Sequence, residues 1–222
     1  MIITIDGPTA SGKSSVAGAV AQVLGFYHLN SGLLYRSLAY LLVTIRGYSE
    51  ADLFLVKQDD ILICMDSKLF SYTYQDGKIS VSYNGSEITQ FLKDSLIDYY
   101  VSLISSQALV RTAMVSKQHE LAAMHNIVTD GRDVGSLVFP NAEYKFYLNA
   151  SLPVRAERWR KDQFARGHNY SLAEAESRIK DRDTRDETRK ISPLVIPLGA
   201  TVIDSTALTF QETVAKVLSY IQ

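Results

Sequence analysis

Gly7-Pro8-Thr9-Ala10-Ser11-Gly12-Lys13-Ser14 meets every fixed position of the pattern G-x-x-x-x-G-K-[ST]. Its surroundings fit as well. Ile2–Asp6 (IITID) is β-branched and bounded by Gly-Pro, which predicts a short buried strand. In Ser14–Leu24 (SSVAGAVAQVL), Val16, Ala17, Val20, Ala21 and Leu24 recur at helical spacing, and Gly25 stands where a helix ends. A glycine-rich loop between a strand and a helix can point successive backbone N–H groups at phosphate oxygens, and the helix N-terminus adds partial positive charge. Lys13 then supplies an ammonium to the β/γ phosphates, and the Ser14 hydroxyl can ligate Mg²⁺. The stretch predicts a nucleoside triphosphate site on an α/β fold.

Working outward, Phe26–Asn30 reads as a second short strand, leading through Ser31-Gly32 into a helix over Tyr35–Leu42. Strand, helix and strand in alternation imply a parallel sheet with helices on its faces. The texture changes near Ile61. Leu62–Met65, Leu69–Tyr74 and Lys78–Tyr83 are strand-like, with turn signals at Gln75-Asp76-Gly77 and Asn84-Gly85, which predicts a small antiparallel insertion. A helical stretch, Ile97–His125, follows. Ile127–Thr129, Lys145–Leu148 and Thr201–Ile203 read as buried strands, and Gln211–Ile221 as a closing amphipathic helix.

Composition narrows the classes. The chain has 222 residues, is 46% hydrophobic and carries a net charge of −1, so it reads as one substantial domain with an elaboration, or two small ones, with a sizeable core, and not as a nucleic-acid binder. Cys64 is the sole cysteine, which rules out an intramolecular disulfide and a cysteine zinc site and fits a small core side chain. The four histidines, His28, His119, His125 and His168, show no ligand spacing. The start of the sequence lacks a signal-peptide pattern, and no apolar run reaches the roughly 18 residues of a membrane span. A soluble cytoplasmic protein with no membrane partner is expected.

No guanine-reading Asn-Lys-x-Asp is present, which leaves ATPases and kinases. A kinase needs a second anion site facing the first. Three arginine-bearing segments could make one. Arg36 follows the second strand, and Asp130-Gly131-Arg132-Asp133 follows Ile127–Thr129, both at the edge where open α/β sheets bind ligands. The third is KDRDTRDETRK, Lys180–Lys190, in a window, Arg155–Lys190, that holds eleven of the 23 Lys and Arg and eight acids. At about 100° per residue Arg182, Arg185, Asp186 and Arg189 share a stripe. Clustered guanidiniums suit phosphate recognition; a solvated charged face is the alternative.

Taken together, G-P-x-x-S-G-K-S-S, N-S-G-x-x-Y-R, D-G-R-D-V-G-S-x-V-F-P and R-D-T-R-D-E-T-R before S-P-L resemble the bacterial cytidylate kinases, in order and over nearly the whole chain. The resemblance implies Mg²⁺- and ATP-dependent phosphorylation of CMP and dCMP by a cytoplasmic monomer, with ATP, CMP and dCMP as its partners. It implies a three-layer P-loop fold in one domain, 1–222, with an NMP-binding insertion at 61–96 and a helical lid at 155–190. It assigns ATP to Gly7, Pro8, Thr9, Ala10, Ser11, Gly12, Lys13, Ser14, Ser15 and Arg158. It assigns the CMP phosphate to Arg36, Arg132 and Arg189, the sugar to Arg182 and Asp186, and the cytosine to Ser102, Arg111 and Asp133, with Ser31 and Tyr35 beside the phosphate. Lys13, Arg132, Arg182 and Arg189 would be catalytic. The chain departs from the family pattern in carrying Asn30 where Asp is usual and Trp159 where a second arginine is usual. Two other readings remain: a same-fold kinase acting on UMP or another acceptor, and a nucleotide sensor without phosphoryl transfer.

Overall fold

The structure, a computed structural model, describes residues 1–221. β1 (Ile2–Asp6) runs into the glycine-rich loop and α1 (Lys13–Leu24) leaves it. β2 (Tyr27–Asn30) and α2 (Ser31–Thr44) repeat that order. Next come α3 (Gln58–Cys64), β3 (Phe70–Gln75), β4 (Lys78–Tyr83), the two-residue β5 (Ser86–Glu87), α4 (Ser95–Ile104) and α5 (Ala108–Ala122). β6 (Ile127–Gly131) is followed by one π-helical turn, Val134–Val138, and then β7 (Tyr144–Asn149). α6 (Leu152–Ala165), α7 (Leu172–Thr188), β8 (Thr201–Asp204) and α8 (Phe210–Leu218) complete the order.

The main sheet has the order β2-β6-β1-β7-β8 and is parallel throughout. Parallel neighbours need crossovers, and the helices supply them on both faces. On one face Ile3, Ile5, Val128, Phe146, Leu148 and Ile203 pack against α1 and α8. On the other, Leu29 and Ile127 pack against apolar side chains of α2 and α5. This is the three-layer α/β fold that the strand–loop–helix opening implies. Because the strands are parallel, their C-terminal ends share one edge. The register pairs Asp6 with Gly131 and Asn30 with Asp130, so all three candidate anion-binding loops leave the sheet side by side.

The antiparallel insertion is present as β3-β4-β5. Its hairpins turn at Asp76-Gly77 and Asn84-Gly85, each with positive φ at both residues, as a right-twisted two-residue turn requires. The expected strand at Leu62–Met65 is instead helical: its first three residues lie in α3 and Met65 caps it. Ile61 and Cys64 are buried three apart while Leu62 and Ile63 are exposed, and Asp59 and Asp60 occupy the first turn, where acids favour a helix. A four-residue apolar run is too short to tell the two periods apart. The helical stretch Ile97–His125 is two helices, broken at residues 105–107. The break frees Ser105 O, which accepts from Arg111 Nη1 at 3.1 Å.

The charged window is a helical pair, α6 and α7, with a small core of its own made by Ala156, Ala175 and Ile179. Trp159 packs against that core and lies 5.0 Å from the Tyr170 ring, so it serves packing within the pair. A capping box between Ser171 and Glu174 starts α7.

Candidate active site

The loop after β1 is held by sterics and by its lysine. A Cβ on Gly7 would lie 2.2 Å from Leu148 O, so the close approach of β7 admits only glycine. Gly12 caps α1 with φ 92°, a left-handed conformation that side chains disfavour. Lys13 is buried and its Nζ curls back to donate to Pro8 O at 3.1 Å. Burial, then the nearby Arg132 guanidinium, pulls the Lys13 ammonium well below the usual lysine range. Beneath the loop, Asp6 accepts from Val134 N and Gly135 N at 2.8 Å each. Burial nevertheless pushes its carboxyl up to about 7.

Ser14 stands at the first turn of α1 and donates its hydroxyl hydrogen to Asp130. That leaves its oxygen lone pairs free for a cation arriving with a nucleotide. Burial opposes the charge on Asp130, but His28 and Ser14 hold its carboxyl below the usual carboxylate range. A hydroxyl oxygen beside a fixed negative charge suits Mg²⁺, which binds through few protein ligands plus substrate phosphates. Among the described residues no cluster of three or more His, Cys, Asp or Glu could hold a metal alone. Arg158 donates to Ser11 O at 3.2 Å and to Ser205 O at 2.9 Å, which ties α6 to the phosphate loop.

Facing this loop is a second group of cations. Arg132 donates to Asp186 at 2.8 Å and to Thr9 Oγ1 at 3.2 Å, bridging α7 and the loop. Arg182 lies near Arg132 and Arg36; burial, then Arg132, pulls it below the usual arginine range. Among the described residues neither Arg182 nor Lys13 forms an ion pair with a carboxylate. Arg36 is held by Asp98 of α4 at 2.6 Å. Arg189 donates to Ser192 O and lies 3.6 Å from Asp133 and 3.7 Å from Asp186, too far for hydrogen bonds, and its Nη2 is buried without a hydrogen-bond partner. Beside them Arg111 donates to Asp133 and to Ser192 Oγ and sits over the Tyr35 ring at 5.7 Å. Tyr35 Oη is buried without a partner, and burial pushes the phenol up to about 12.

Two anion-ready surfaces thus face each other across the C-terminal edge of the sheet. The comparisons with known proteins agree over the whole length. The cytidylate kinase family model matches residues 3–222. The chain belongs to the cytidylate kinase family. It is 38% identical over 222 residues to a cytidylate kinase of Ligilactobacillus salivarius (strain UCC118), covering 99% of this chain and 96% of that one. It is 39% identical to a cytidylate kinase of Chlamydia trachomatis serovar D, covering 100% and 98%. Among solved structures, an uncharacterized protein from Eubacterium ventriosum superposes with a TM-score of 0.51 at 11% identity, covering 100% of this chain and 98% of that one, which speaks to fold alone. The chain is therefore a kinase.

Within this cytidylate kinase scaffold, most residues expected from the sequence come together: Lys13, Ser14, Ser31, Tyr35, Arg36, Arg111, Arg132, Asp133, Arg182, Asp186 and Arg189 all border the same edge. Ser31 Oγ donates to Asp130 O at 2.6 Å, fixing the start of α2. Ser102 lies on α4 one helical turn beyond the Asp98 that holds Arg36; it is exposed and donates to Tyr99 O at 2.6 Å. Arg185 is exposed and donates to Asp181 O at 3.2 Å. Charge spacing alone groups Arg185 with Arg182 and Arg189, but the apolar half of α7 sets its rotation. Measured from buried Ile179 at about 100° per residue, Asp183 and Asp186 lie within about 40° and Arg185 about 120° away. Asp183 accordingly turns inward, accepting from Thr9 N at 2.9 Å and from Arg155 Nη1. Sequence reasoning also missed Asp98, Ser192, Asp130 and His28. None of these four left a signal; Asp183 did, as the continuation of the Ala175–Ile179 face.

Proposed function

We propose that the chain transfers the γ-phosphoryl group of ATP to the phosphate of CMP or dCMP, giving ADP and CDP or dCDP. The observation that carries this reading is the facing set of cations, Lys13, Arg132 and Arg182, which repel one another and of which, among the described residues, Lys13 and Arg182 form no ion pair with a carboxylate. Such a cluster is stabilised by anions arriving from both sides. Family membership supplies the nucleotide class.

The acceptor phosphate oxygen attacks Pγ, and the bond from Pγ to the bridging oxygen of ADP breaks. An ionised phosphate needs no general base, so the protein's part is alignment and charge neutralisation. Lys13 and the backbone N–H groups of the loop hold the donor phosphates. Ser14 would hold Mg²⁺, which would supply positive charge to the donor phosphates. Arg132, placed between Thr9 and Asp186, neutralises the group in transit, with Arg182 beside it and Arg36 and Arg189 on the acceptor. Arg36 must exchange Asp98 for phosphate, so its ion pair acts as a resting position. Arg155–Lys190 serves as the lid, and the segment 61–96 as the nucleotide-binding insertion, each excluding water from the transferring group.

Arg111 and Asp133 are suited to read cytosine. The carboxylate accepts from the N4 amino group, and the guanidinium donates to N3 and O2. Uracil would turn a carbonyl toward the carboxylate and an N–H toward the guanidinium, two mismatched contacts. The test is kcat/KM with CMP, dCMP, UMP and AMP as acceptors. CMP and dCMP should exceed UMP and AMP by about 10²-fold or more. Equal or faster turnover of UMP would overturn the cytosine assignment.

A further inference from the structure

His28 is buried in β2, and its Nε2 lies 2.9 Å from Asp130 Oδ1. The other oxygen, Oδ2, accepts from the Ser14 hydroxyl and, at 3.5 Å, from Asn30 Nδ2. The sheet builds this arrangement. A period of two puts His28 and Asn30 on the same face of β2, and the register sets Asn30 opposite Asp130 on β6. Gly18 of α1 makes room for the ring: a Cβ there would lie 3.3 Å from His28 Nδ1. The Tyr74 ring stands edge-on to the imidazole at 5.8 Å, and Tyr74 Oη donates to Gly18 O at 3.3 Å. The histidine is thus walled in by α1 and by the insertion's β3, with one ring nitrogen committed to the carboxylate.

We infer that His28 is a positioning residue for the metal end of the nucleotide site, acting through Asp130 on Ser14. This rests on the assignment of Ser14 to Mg²⁺. A buried carboxylate with one oxygen unsatisfied is costly, and it responds by turning toward another donor. That rotation removes the acceptor that fixes the Ser14 hydrogen, and the hydroxyl can then turn its hydrogen toward the cation. With His28 in place, both carboxylate oxygens are committed and the Ser14 lone pairs face the phosphates. Groups behind a ligand orient it in this way in many metal sites. Asn30 has a consistent part. An amide donates to Asp130 where a carboxylate would oppose it, so one negative charge stands behind Ser14 and not two. Asn30 Oδ1 meanwhile caps α2 through Leu33 N at 2.8 Å.

The measurement is the affinity of the full chain for ATP with excess Mg²⁺ and for ATP in EDTA, by calorimetric titration, with CMP affinity and Tm alongside. The ratio of the two ATP affinities isolates the metal's contribution. His28→Leu should lower that ratio at least fivefold, leaving ATP affinity in EDTA and CMP affinity within about twofold of wild type. His28→Gln, whose terminal amide can donate from near the Nε2 position, should restore the ratio to within about twofold. If the leucine variant does not fold, His28→Asn, polar but too short to reach Asp130, carries the same comparison. A ratio that Ser14→Ala lowers but the His28 variants do not overturns this inference alone. So does a His28 variant that weakens all three affinities alike with a drop in Tm, which is the mark of packing. A wild-type ratio near one, or one that Ser14→Ala leaves unchanged, overturns the Mg²⁺ assignment and this inference with it.

Discussion

The phosphate loop and the inner face of α7 hold opposite ends of one site and manage charge differently. The loop presents backbone N–H groups, a helix terminus and a single lysine, and glycines at 7 and 12 fix its path. At the inner face of α7 the guanidiniums of neighbouring segments rest on or near carboxylates: Arg132, after β6, on Asp186, and Arg189, the cap of α7, near Asp133 and Asp186. A backbone site is preorganised and cannot retract. A side-chain site can be disarmed by its own acids and rearmed when a phosphate competes for the arginines. The division suits a reaction in which ATP and the acceptor must meet only when both are present. Asp183 and Arg155 join the two regions, since both bond to Thr9 of the loop.

Breaking the fixed side should cost most. Lys13→Ala removes a cation aimed at charge that develops in transit, and kcat should fall roughly 10³-fold in steady-state assays, with Tm unchanged or raised because a buried ammonium is lost. A drop of less than tenfold would mean the backbone alone carries the donor phosphates. A smaller effect concerns the floor of the loop. Asp6 titrates at about 7 in the fold, above its ordinary 3.8. A folded pKa raised in this sense favours the native state below pH 4, and that advantage is lost as pH rises through 7. Asp6→Asn stays neutral throughout. The stability of wild type relative to Asp6→Asn should therefore fall between pH 4 and 7, by a few kcal/mol at about 1.4 per pH unit. Denaturant melts across that range give the answer, and a constant difference would contradict it. Least of all should Arg185→Ala matter. Its guanidinium is exposed and, among the described residues, bonds Asp181 O alone, so kcat/KM for CMP should stay within about twofold. A tenfold loss would return Arg185 to the clamp and redraw the α7 face.

The same contrast explains what could be read in the sequence. The loop was legible because its function depends on glycine, lysine and serine at fixed spacing between a strand and a helix, and short-range rules suffice. The parallel sheet followed from it. Around α7, the helix is legible in the sequence but its rotation is not. Charge alone chose the stripe, whereas Ala175 and Ile179 set which side turns inward, bringing in Asp183 and leaving Arg185 in solvent. Partners far apart in the chain were not legible at all. Asp98 pairs with Arg36 across 62 positions and His28 with Asp130 across 102, and both depend on how helices and strands are laid together. Leu62–Met65 failed for a local reason: four apolar residues in a row satisfy either period.

The central claim is that the arginines of α7 capture the acceptor phosphate, with solubility a secondary consequence of the flanking acids. Arg189→Ala tests it most directly, in a coupled assay with CMP varied at saturating ATP, read beside ATP affinity and Tm. The account predicts that kcat/KM for CMP falls by roughly 10³-fold while ATP affinity stays within about twofold and the fold survives. Near-wild-type kinetics with CMP in a folded variant would contradict it.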